Sequence, residues 1–220
     1  MIVNTIKSTS YSRLSVFETC HRQAKYKFID KLPVEDTYAA SRGAKMHKLA
    51  QSFVNGNIKG VPDELRFFAS ELKELKKQKA LTEIDATITM DWKPTHGTDW
   101  NGAWSRAYID ALVDGGDELF VIDYKSGKIY EAPHKKQAEV YAMQVFIHYP
   151  KALRIIVEFW YFDQNDMLTW SFKRSQLPAL KKKWKERNDK MFNEQAFDTT
   201  PGVHCKWCPF SKKENGPCEY

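Results

Sequence analysis

The spacing of apolar residues predicts a chain that changes from helices to strands near residue 80. Apolar side chains recur at helical spacing over residues 10–30, 41–55 and 62–79, and alternate with polar ones over residues 84–90. The later predicted elements are strands at 106–113 and 118–125, a helix at 134–148, strands at 153–162 and 167–173, and a basic helix at 176–193. This order predicts an α/β fold with one mixed sheet.

The strands before and after residue 115 are predicted to form a hairpin centred on Gly115 and Gly116. Glycine accepts the positive φ that tight strand reversals need, and apolar residues alternate on both sides of this turn. This centre places Asp110 directly opposite Val121. The other face of the pair carries a continuous set of apolar side chains, which predicts that it packs on a core.

Asp110, Asp123 and Lys125 share the remaining face of this predicted hairpin, since side chains alternate along a strand. Two carboxylates this close repel each other unless a cation lies between them, and hard oxygen ligands suit Mg²⁺ or Mn²⁺. The neighbouring ammonium can position a water or offset charge on a phosphate. These three residues alone leave a second interpretation open, namely a solvated strand face with an ordinary Asp–Lys pair.

The composition fits a domain of 220 residues that is large enough for a proper core. Lys and Arg number 34 against 28 Asp and Glu, and this net charge of +6 is compatible with a polyanionic partner such as DNA. No apolar run approaches the ~20 residues that span a bilayer. Because the polar opening over residues 1–5 also lacks the features of a signal peptide, we expect a soluble, cytoplasmic protein without a membrane partner.

The four cysteines are unevenly placed, with Cys20 alone near the start and Cys205, Cys208 and Cys218 within the last sixteen residues. Disulfides are disfavoured inside cells, so this pattern indicates a metal or cluster site. Four thiolates can hold zinc or an iron–sulfur cluster, and the spacing does not separate the two. Unrelated reduced thiols are the remaining alternative. A zinc hydrolase is disfavoured because four thiolates leave zinc no open position for water.

Taken in order, these motifs resemble the PD-(D/E)XK nuclease superfamily, and within it the RecB-like branch that includes the iron–sulfur CRISPR-associated adaptation nuclease and phage exonucleases. The matching positions are Cys20 in the middle of a predicted N-terminal helix, Arg42-Gly43 followed by His47, Asp110, Asp123-Tyr124-Lys125, Gln137 with Tyr141, and Cys205-x-x-Cys208 with Cys218. Because a motif is supported by its context, the order of these positions carries more weight than any one of them.

The resemblance implies a restriction-endonuclease-like fold, in which helices flank a mixed sheet within one nuclease domain over residues 1–220. Its implied parts are a helical N-terminal part at 1–80, a catalytic sheet core at 81–175, and a basic helix with a cysteine-rich tail at 176–220. The implied metal ligands are His47, Asp110, Asp123 and the backbone carbonyl of Tyr124. The implied catalytic residues are Asp110, Asp123, Lys125, Gln137 and Tyr141. An imidazole ligand suits Mn²⁺ better than Mg²⁺.

The resemblance also implies that Cys20 joins Cys205, Cys208 and Cys218 to bind a 4Fe–4S cluster. Such a cluster would fasten the C-terminal tail to the N-terminal helix and stabilise the fold. The gap of nine residues between Cys208 and Cys218 departs from the short spacing that is usual in this branch. Zinc therefore stays an alternative at the four cysteines.

The function implied by the resemblance is a metal-dependent DNA exonuclease that prefers single strands and acts in recombination, repair, phage DNA processing or CRISPR adaptation. The alternative is a nuclease-like scaffold that binds DNA ends or a protein partner of a recombination or adaptation complex without cutting. Weaker candidates are Glu83, as an outer carboxylate of the active site, and several tryptophans that either stack on bases or belong to the core. These tryptophans are Trp92, Trp100, Trp104 and Trp184.

Overall fold

The computed structural model describes residues 6–35, 37–99 and 101–220. The chain groups into two units, a terminal unit made of residues 6–35 and 182–220 and a central unit made of residues 37–181. The single nuclease domain over residues 1–220 stays a prediction. The predictions for the opening residues 1–5 and for Trp100 lie outside the described residues.

In the described part of the chain, the central unit contains a five-stranded sheet in the order β1-β2-β3-β4-β5. The strands are β1 (Leu81–Asp85), β2 (Tyr108–Asp114), β3 (Glu118–Lys125), β4 (Arg154–Tyr161) and β5 (Asp166–Lys173). The α-helices are α1 (Tyr11–Thr19), α2 (His21–Ala24), α3 (Tyr38–Val54), α4 (Ala69–Lys77), α5 (Glu131–His148) and α6 (Leu177–Phe192). Only β3 and β4 pair in parallel, and the crossover that this requires contains α5. The predicted mixed sheet is confirmed.

Helices α3 and α4 cover one face of this sheet. Their apolar side chains form a core with residues of the middle strands, including Ala111, Ile122, Tyr124 and Trp160. Helix α3 begins at Tyr38, three residues before the predicted start at residue 41, and the Thr37 side chain caps it by accepting the N–H of Ala40 at 3.2 Å. The helix that carries His47 is anchored from Met46 onward by its buried residues Met46, Ala50, Phe53 and Val54.

Helix α5 covers the opposite face. Asp123 lies between Ile122 and Tyr124 in β3, so its side chain points away from the core under α3 and α4, and it contacts Tyr141 of α5. A run of buried residues in α5, from Ala138 to Phe146, packs this helix on the sheet, mainly against β4 and β5. Strand β3 thus presents Ile122 and Tyr124 to the layer of α3 and α4, and Asp123 and Lys125 to α5.

The hairpin between β2 and β3 has a different register from the predicted one. The N–H of Gly115 donates to the carbonyl of Glu118 at 3.0 Å, so the two central turn residues are Gly116 and Asp117. Gly116 takes the positive φ of 87° that the turn requires. The prediction that Asp110 lies opposite Val121 was wrong, because Val121 pairs with Leu112. The shift is two residues, so the faces of the strand are unchanged.

The first predicted strand ends earlier than its alternating pattern suggested. Strand β1 stops at Asp85, whose carboxylate accepts the backbone N–H groups of Thr87 at 3.1 Å and Gly97 at 2.6 Å. Beyond β1, the N–H groups of Ala86 and Ile88 still donate to the carbonyls of Ala107 and Ser105, but Ile88 makes only isolated bridges.

The prediction that Cys20 lies in the middle of a helix was wrong. Cys20 has an extended backbone with φ −160° and ψ 118°, and it separates α1 from α2. Its N–H still bonds Val16 at the end of α1, and its carbonyl accepts the N–H of Ala24 in α2. The Cys20 side chain is buried at this break between the two helices.

In the terminal unit, the basic helix α6 uses its tryptophan for packing. The Trp184 side chain is 1% exposed, and the Arg187 guanidinium lies 4.1 Å from the centre of its ring. Trp184 therefore belongs to the core, and its interpretation as a base-stacking residue was wrong. Among the described residues, no helix has both the length and the apolar character needed to cross a membrane.

We expect Leu72→Ala to lower the free energy of unfolding by about 2–5 kcal/mol, because Leu72 is fully buried between α4 and the sheet and its truncation leaves a cavity. Urea unfolding followed by circular dichroism measures the change. The neighbouring Lys73→Ala is the control, since that side chain is exposed. Equal stability of both variants would contradict the packing described for α4.

Candidate active site

The site begins where the pairing of β2 and β3 stops. The last pair on this side is Ala111 with Ile122. Asp110 is the residue before Ala111 in β2. Its Oδ2 accepts the backbone N–H of Tyr124 at 2.6 Å, and its Oδ1 lies 2.9 Å from His47 Nδ1. The Asp110 carboxylate therefore replaces a ladder acceptor in the sheet and also binds α3.

Asp123 is held from the opposite layer. Its side chain is buried, and Oδ1 accepts a hydrogen bond from the Tyr141 hydroxyl at 2.7 Å. Its other oxygen, Oδ2, lies 2.5 Å from Lys125 Nζ in an ion pair, but this contact lacks hydrogen-bond angles and the atom has no hydrogen-bond partner in the described part of the chain. A buried carboxylate oxygen with no hydrogen bond is suited to bind a cation.

The Lys125 ammonium is fixed on three sides. It pairs with Asp123, donates to Gln137 Oε1 at 3.0 Å, and lies 4.6 Å from the centre of the Phe159 ring. Gln137 Nε2 also donates to the Tyr141 hydroxyl at 2.8 Å, as expected for residues one turn apart on α5. The structure thus joins Asp123, Lys125, Gln137 and Tyr141 in one continuous network. The fifth predicted catalytic residue, Asp110, is bonded to the backbone of Tyr124, next to Asp123.

The electrostatics follow from burying two carboxylates together. Burial raises the pKa of Asp110, and the charge of Asp123 adds to this, although the hydrogen bond to His47 acts in the opposite direction. For His47, burial lowers the pKa, but the hydrogen bond and charge of Asp110 outweigh it, so the net pKa is raised. The Asp110 carboxylate therefore stabilises the protonated form of the His47 imidazole.

Sequence reasoning missed His134 and Tyr161, which lie next to this network. His134 in the first turn of α5 is hydrogen-bonded to the Tyr161 hydroxyl, and its ring lies 5.6 Å from that of Phe159. Burial, together with the charge of Lys125, lowers the pKa of His134 to about 4, so this imidazole is neutral at pH 7. In the sequence, the signal that could have pointed to His134 was its position three residues before Gln137, on the same face of the predicted helix.

Glu83 occupies a strained position in β1. Thr82 pairs with Ala111 and Ile84 with Ile109, so Glu83 lies beside Asp110 in the sheet. Its φ of 53° is unusual for a residue other than glycine. Partial burial, with the charge of Asp110, raises the pKa of its carboxyl group. Strain of this kind is frequent at functional sites, which keeps Glu83 a candidate for the outer part of the site.

A divalent cation fits the donor chemistry of this site. The available ligands are the carboxylates of Asp110 and Asp123, the imidazole of His47 and the Tyr124 backbone. Among the described residues, no three His, Cys, Asp or Glu side chains are arranged to hold a metal ion. The side chains instead bind one another, His47 to Asp110 and Lys125 to Asp123. The metal-binding roles of these residues therefore stay predictions.

The four cysteines meet in the terminal unit. Cys20, Cys205, Cys208 and Cys218 line one pocket. Burial raises the pKa of the Cys208 thiol, and the other three thiols raise it further, so they act on each other through space. Four converging thiols are the donor set of a zinc site or an iron–sulfur cluster, although their present arrangement does not form a closed metal site in the described residues.

The nine-residue gap before Cys218 is folded back on itself. The Cys218 N–H donates to the Phe210 carbonyl at 3.0 Å, and the Gly216 N–H donates to the Ser211 carbonyl at 2.8 Å. A Cβ added at Gly216 would lie 2.3 Å from the carbonyl carbon of Phe210, so this close approach requires glycine. The long spacing in sequence therefore still brings Cys218 to the other thiols.

Comparison with known proteins places this geometry in context. The family model of the PD-(D/E)XK nuclease superfamily matches residues 8–104 and 65–212. The chain is similar to a subunit of the ATP-dependent helicase/nuclease of Exiguobacterium sibiricum, with 26% identity over 192 residues, which cover 70% of this chain and 16% of that protein. The chain thus corresponds to about one sixth of that relative's length.

A solved structure of a candidate exonuclease from Eubacterium rectale has a similar fold. Its TM-score is 0.53 at 10% sequence identity, and the match covers 97% of this chain and 90% of the other. At this identity the likeness concerns the fold. It supports the arrangement of a mixed sheet between helices that is described above.

Because φ is positive at Glu83, we expect Glu83→Gly to be more stable than Glu83→Ala by about 1 kcal/mol. Both variants lose the carboxylate, so the comparison isolates the backbone, and urea unfolding measures it. At Thr82, whose φ is not positive, alanine should be at least as stable as glycine. The same order of stability at both positions would show that Glu83 is not strained.

Proposed function

Because this chain belongs to the PD-(D/E)XK nuclease superfamily, we propose that it hydrolyses phosphodiester bonds of DNA with Mn²⁺ or Mg²⁺. The observation that carries the proposal is the network in which Asp110, Asp123 and Lys125 converge between α3 and α5. A non-cleaving scaffold would not need a lysine fixed beside a buried carboxylate.

Asp110, Asp123, His47 and the Tyr124 carbonyl would hold the metal. When bound, a divalent ion polarises the scissile phosphate and lowers the pKa of a water that attacks it. Tyr141 orients Asp123 by bonding Oδ1, while Oδ2 faces the Lys125 ammonium. Gln137 and Phe159 keep the Lys125 ammonium next to that oxygen, where it can place the water and offset charge that develops on the phosphate.

We further propose an exonuclease that prefers single-stranded DNA. The similarity to a candidate exonuclease and to part of a helicase/nuclease supports this choice, because a helicase supplies single strands with free ends. The net charge of +6 is compatible with a polyanionic substrate. A role in recombination, repair, phage DNA processing or CRISPR adaptation fits the same proposal.

For the cysteines we propose a 4Fe–4S cluster with a structural role in the terminal unit, with zinc as the alternative. Support comes from the shared pocket, and from the loop that returns Cys218 to it. A cluster bound by Cys20 and the tail cysteines would link the two ends of the chain within this unit.

We expect Asp123→Asn and Lys125→Ala to lower the cleavage rate at least ~100-fold, because each removes a charge at the reacting phosphate. The measurement is digestion of end-labelled single-stranded DNA with Mn²⁺ by anaerobically purified protein, with product lengths followed over time. Asp117→Asn, in the exposed hairpin turn, should cut like the wild type. Label at the 5′ or the 3′ end shows the direction of digestion.

Wild-type activity in Asp123→Asn would contradict the role of this carboxylate. Binding of DNA without cleavage by the wild type, on single-stranded and double-stranded substrates, would favour the scaffold that binds DNA ends. Internal fragments at early times would identify an endonuclease and overturn the proposed exonuclease.

For the cysteine site, we expect anaerobically purified protein to contain about four iron atoms per chain and a broad absorption near 400 nm, as for a 4Fe–4S cluster held by four thiolates. Cys208→Ser should lose most of the iron and lower the melting temperature. Ser211→Ala, at a buried residue of the same pocket, is the control and should keep the iron. One zinc atom per chain without iron would establish the alternative.

A further inference from the structure

Asp163, in the turn between β4 and β5, joins two other segments of the central unit. Arg42 of α3 donates from Nη1 to Asp163 Oδ2 at 2.7 Å, and its second terminal nitrogen pairs with Oδ1. The backbone N–H of Gly127 donates to the same Oδ2 at 2.8 Å. A two-pronged guanidinium–carboxylate contact fixes orientation as well as distance.

Further contacts keep these three segments close. The Phe162 N–H donates to the carbonyl of Lys125 at 3.0 Å, so the end of β3 is bound to this turn by two adjacent hydrogen bonds. A Cβ on Gly43 would lie only 2.8 Å from Ser126 Oγ, so α3 passes directly over the residue after Lys125. Gly127 has a φ of 100°, which favours glycine where the chain leaves the strand.

We propose that Arg42 and Asp163 are positioning residues that hold His47 in place relative to Asp123 and Lys125, an inference that rests on the proposed nuclease function. His47 follows Arg42 by five residues on the same helix, and Lys125 precedes Gly127 by two. The Arg42–Asp163–Gly127 contact, which we call the brace, is therefore a short link between the helix and the strand that carry the predicted metal ligands.

The brace should matter more for the cleavage rate than for the stability of the fold. The Arg42 and Asp163 side chains are 39% and 22% exposed, and an ion pair this exposed to water contributes little to stability. A shift of reacting groups by about 1 Å, in contrast, can cost ~100-fold in rate. The hydrogen bond from Arg42 lowers the pKa of Asp163, so the carboxylate stays charged at pH 7 and the pair persists.

The experiment compares Arg42→Ala, Asp163→Ala and the double variant with Lys45→Ala. Lys45 is the matched control because it lies on α3 and makes an exposed ion pair with Glu64 at 2.8 Å, outside the brace. The full chain is titrated with Mn²⁺ by calorimetry, and cleavage of single-stranded DNA and of a small chromogenic phosphodiester is measured at saturating Mn²⁺. Thermal melting reports stability.

We expect each brace variant to bind Mn²⁺ about tenfold more weakly and to cut both substrates ~30–100-fold more slowly, with a nearly unchanged melting temperature. The double variant should be no worse than either single one, because both remove the same contact. Arg42→Lys should recover part of the loss, since a lysine restores charge without the two-pronged geometry. Lys45→Ala should match the wild type.

Three results would overturn the brace. If Arg42→Ala raises only the KM for DNA and leaves Mn²⁺ binding and the small substrate unaffected, Arg42 contacts the DNA backbone instead. If Asp163→Ala retains wild-type Mn²⁺ affinity and rate, the link through Gly127 has no positioning role. If Lys45→Ala causes the same losses, the effect belongs to α3 in general.

A wild type that binds Mn²⁺ but cuts no DNA refutes the proposed function alone, because Mn²⁺ affinity still tests the brace.

Discussion

The partly buried Asp110 and the buried Asp123 lie close enough to influence each other's charge, and much of the central unit supplies groups that stabilise them. Each carboxylate takes hydrogen bonds from a different element: Asp110 from His47 and from the Tyr124 backbone, and Asp123 from Tyr141. Without such partners the burial of two like charges would be costly. The sheet therefore needs helices on both faces for electrostatic reasons as well as for the burial of apolar surface.

The parallel pairing of β3 and β4 makes this arrangement possible. A parallel connection requires a long crossover, and here the crossover contains α5, which lies on the face that carries Asp123. Gln137 and Tyr141 are one turn apart on this helix, so both reach the end of β3, where Asp123 and Lys125 lie. The other face stays apolar, which lets α3 pack closely and carry His47 to the edge of the interrupted pairing.

Alternation along a strand was enough to predict that Asp123 and Lys125 share a face, because that period survives a shift of two residues. It was not enough to fix the register, since either pair of residues that includes Gly116 could have formed the turn and only the Gly115–Glu118 bond decides between them. Position alone also could not separate the two interpretations of Trp184, because a buried indole and an exposed one show the same helical spacing.

His134 and Asp163 were absent from the sequence prediction for a different reason. His134 gains its neutral state from burial near Lys125, and Asp163 gains its partners from the turn between β4 and β5, so neither belongs to a short motif. Such residues become visible only when three-dimensional contacts are known. The strained φ of Glu83 is of the same kind, because nothing in the local sequence around it requires a left-handed residue.

The cysteine tail shows why spacing in sequence is a weak guide to spacing between thiols. Nine residues separate Cys208 from Cys218, but the backbone bond from Cys218 to Phe210 shortens the effective separation to a compact loop. Gly216 permits this by letting two backbone segments approach more closely than a side chain would allow. What brings the four thiols together is thus the fold of the intervening loop, and a longer gap costs little once its ends are hydrogen-bonded.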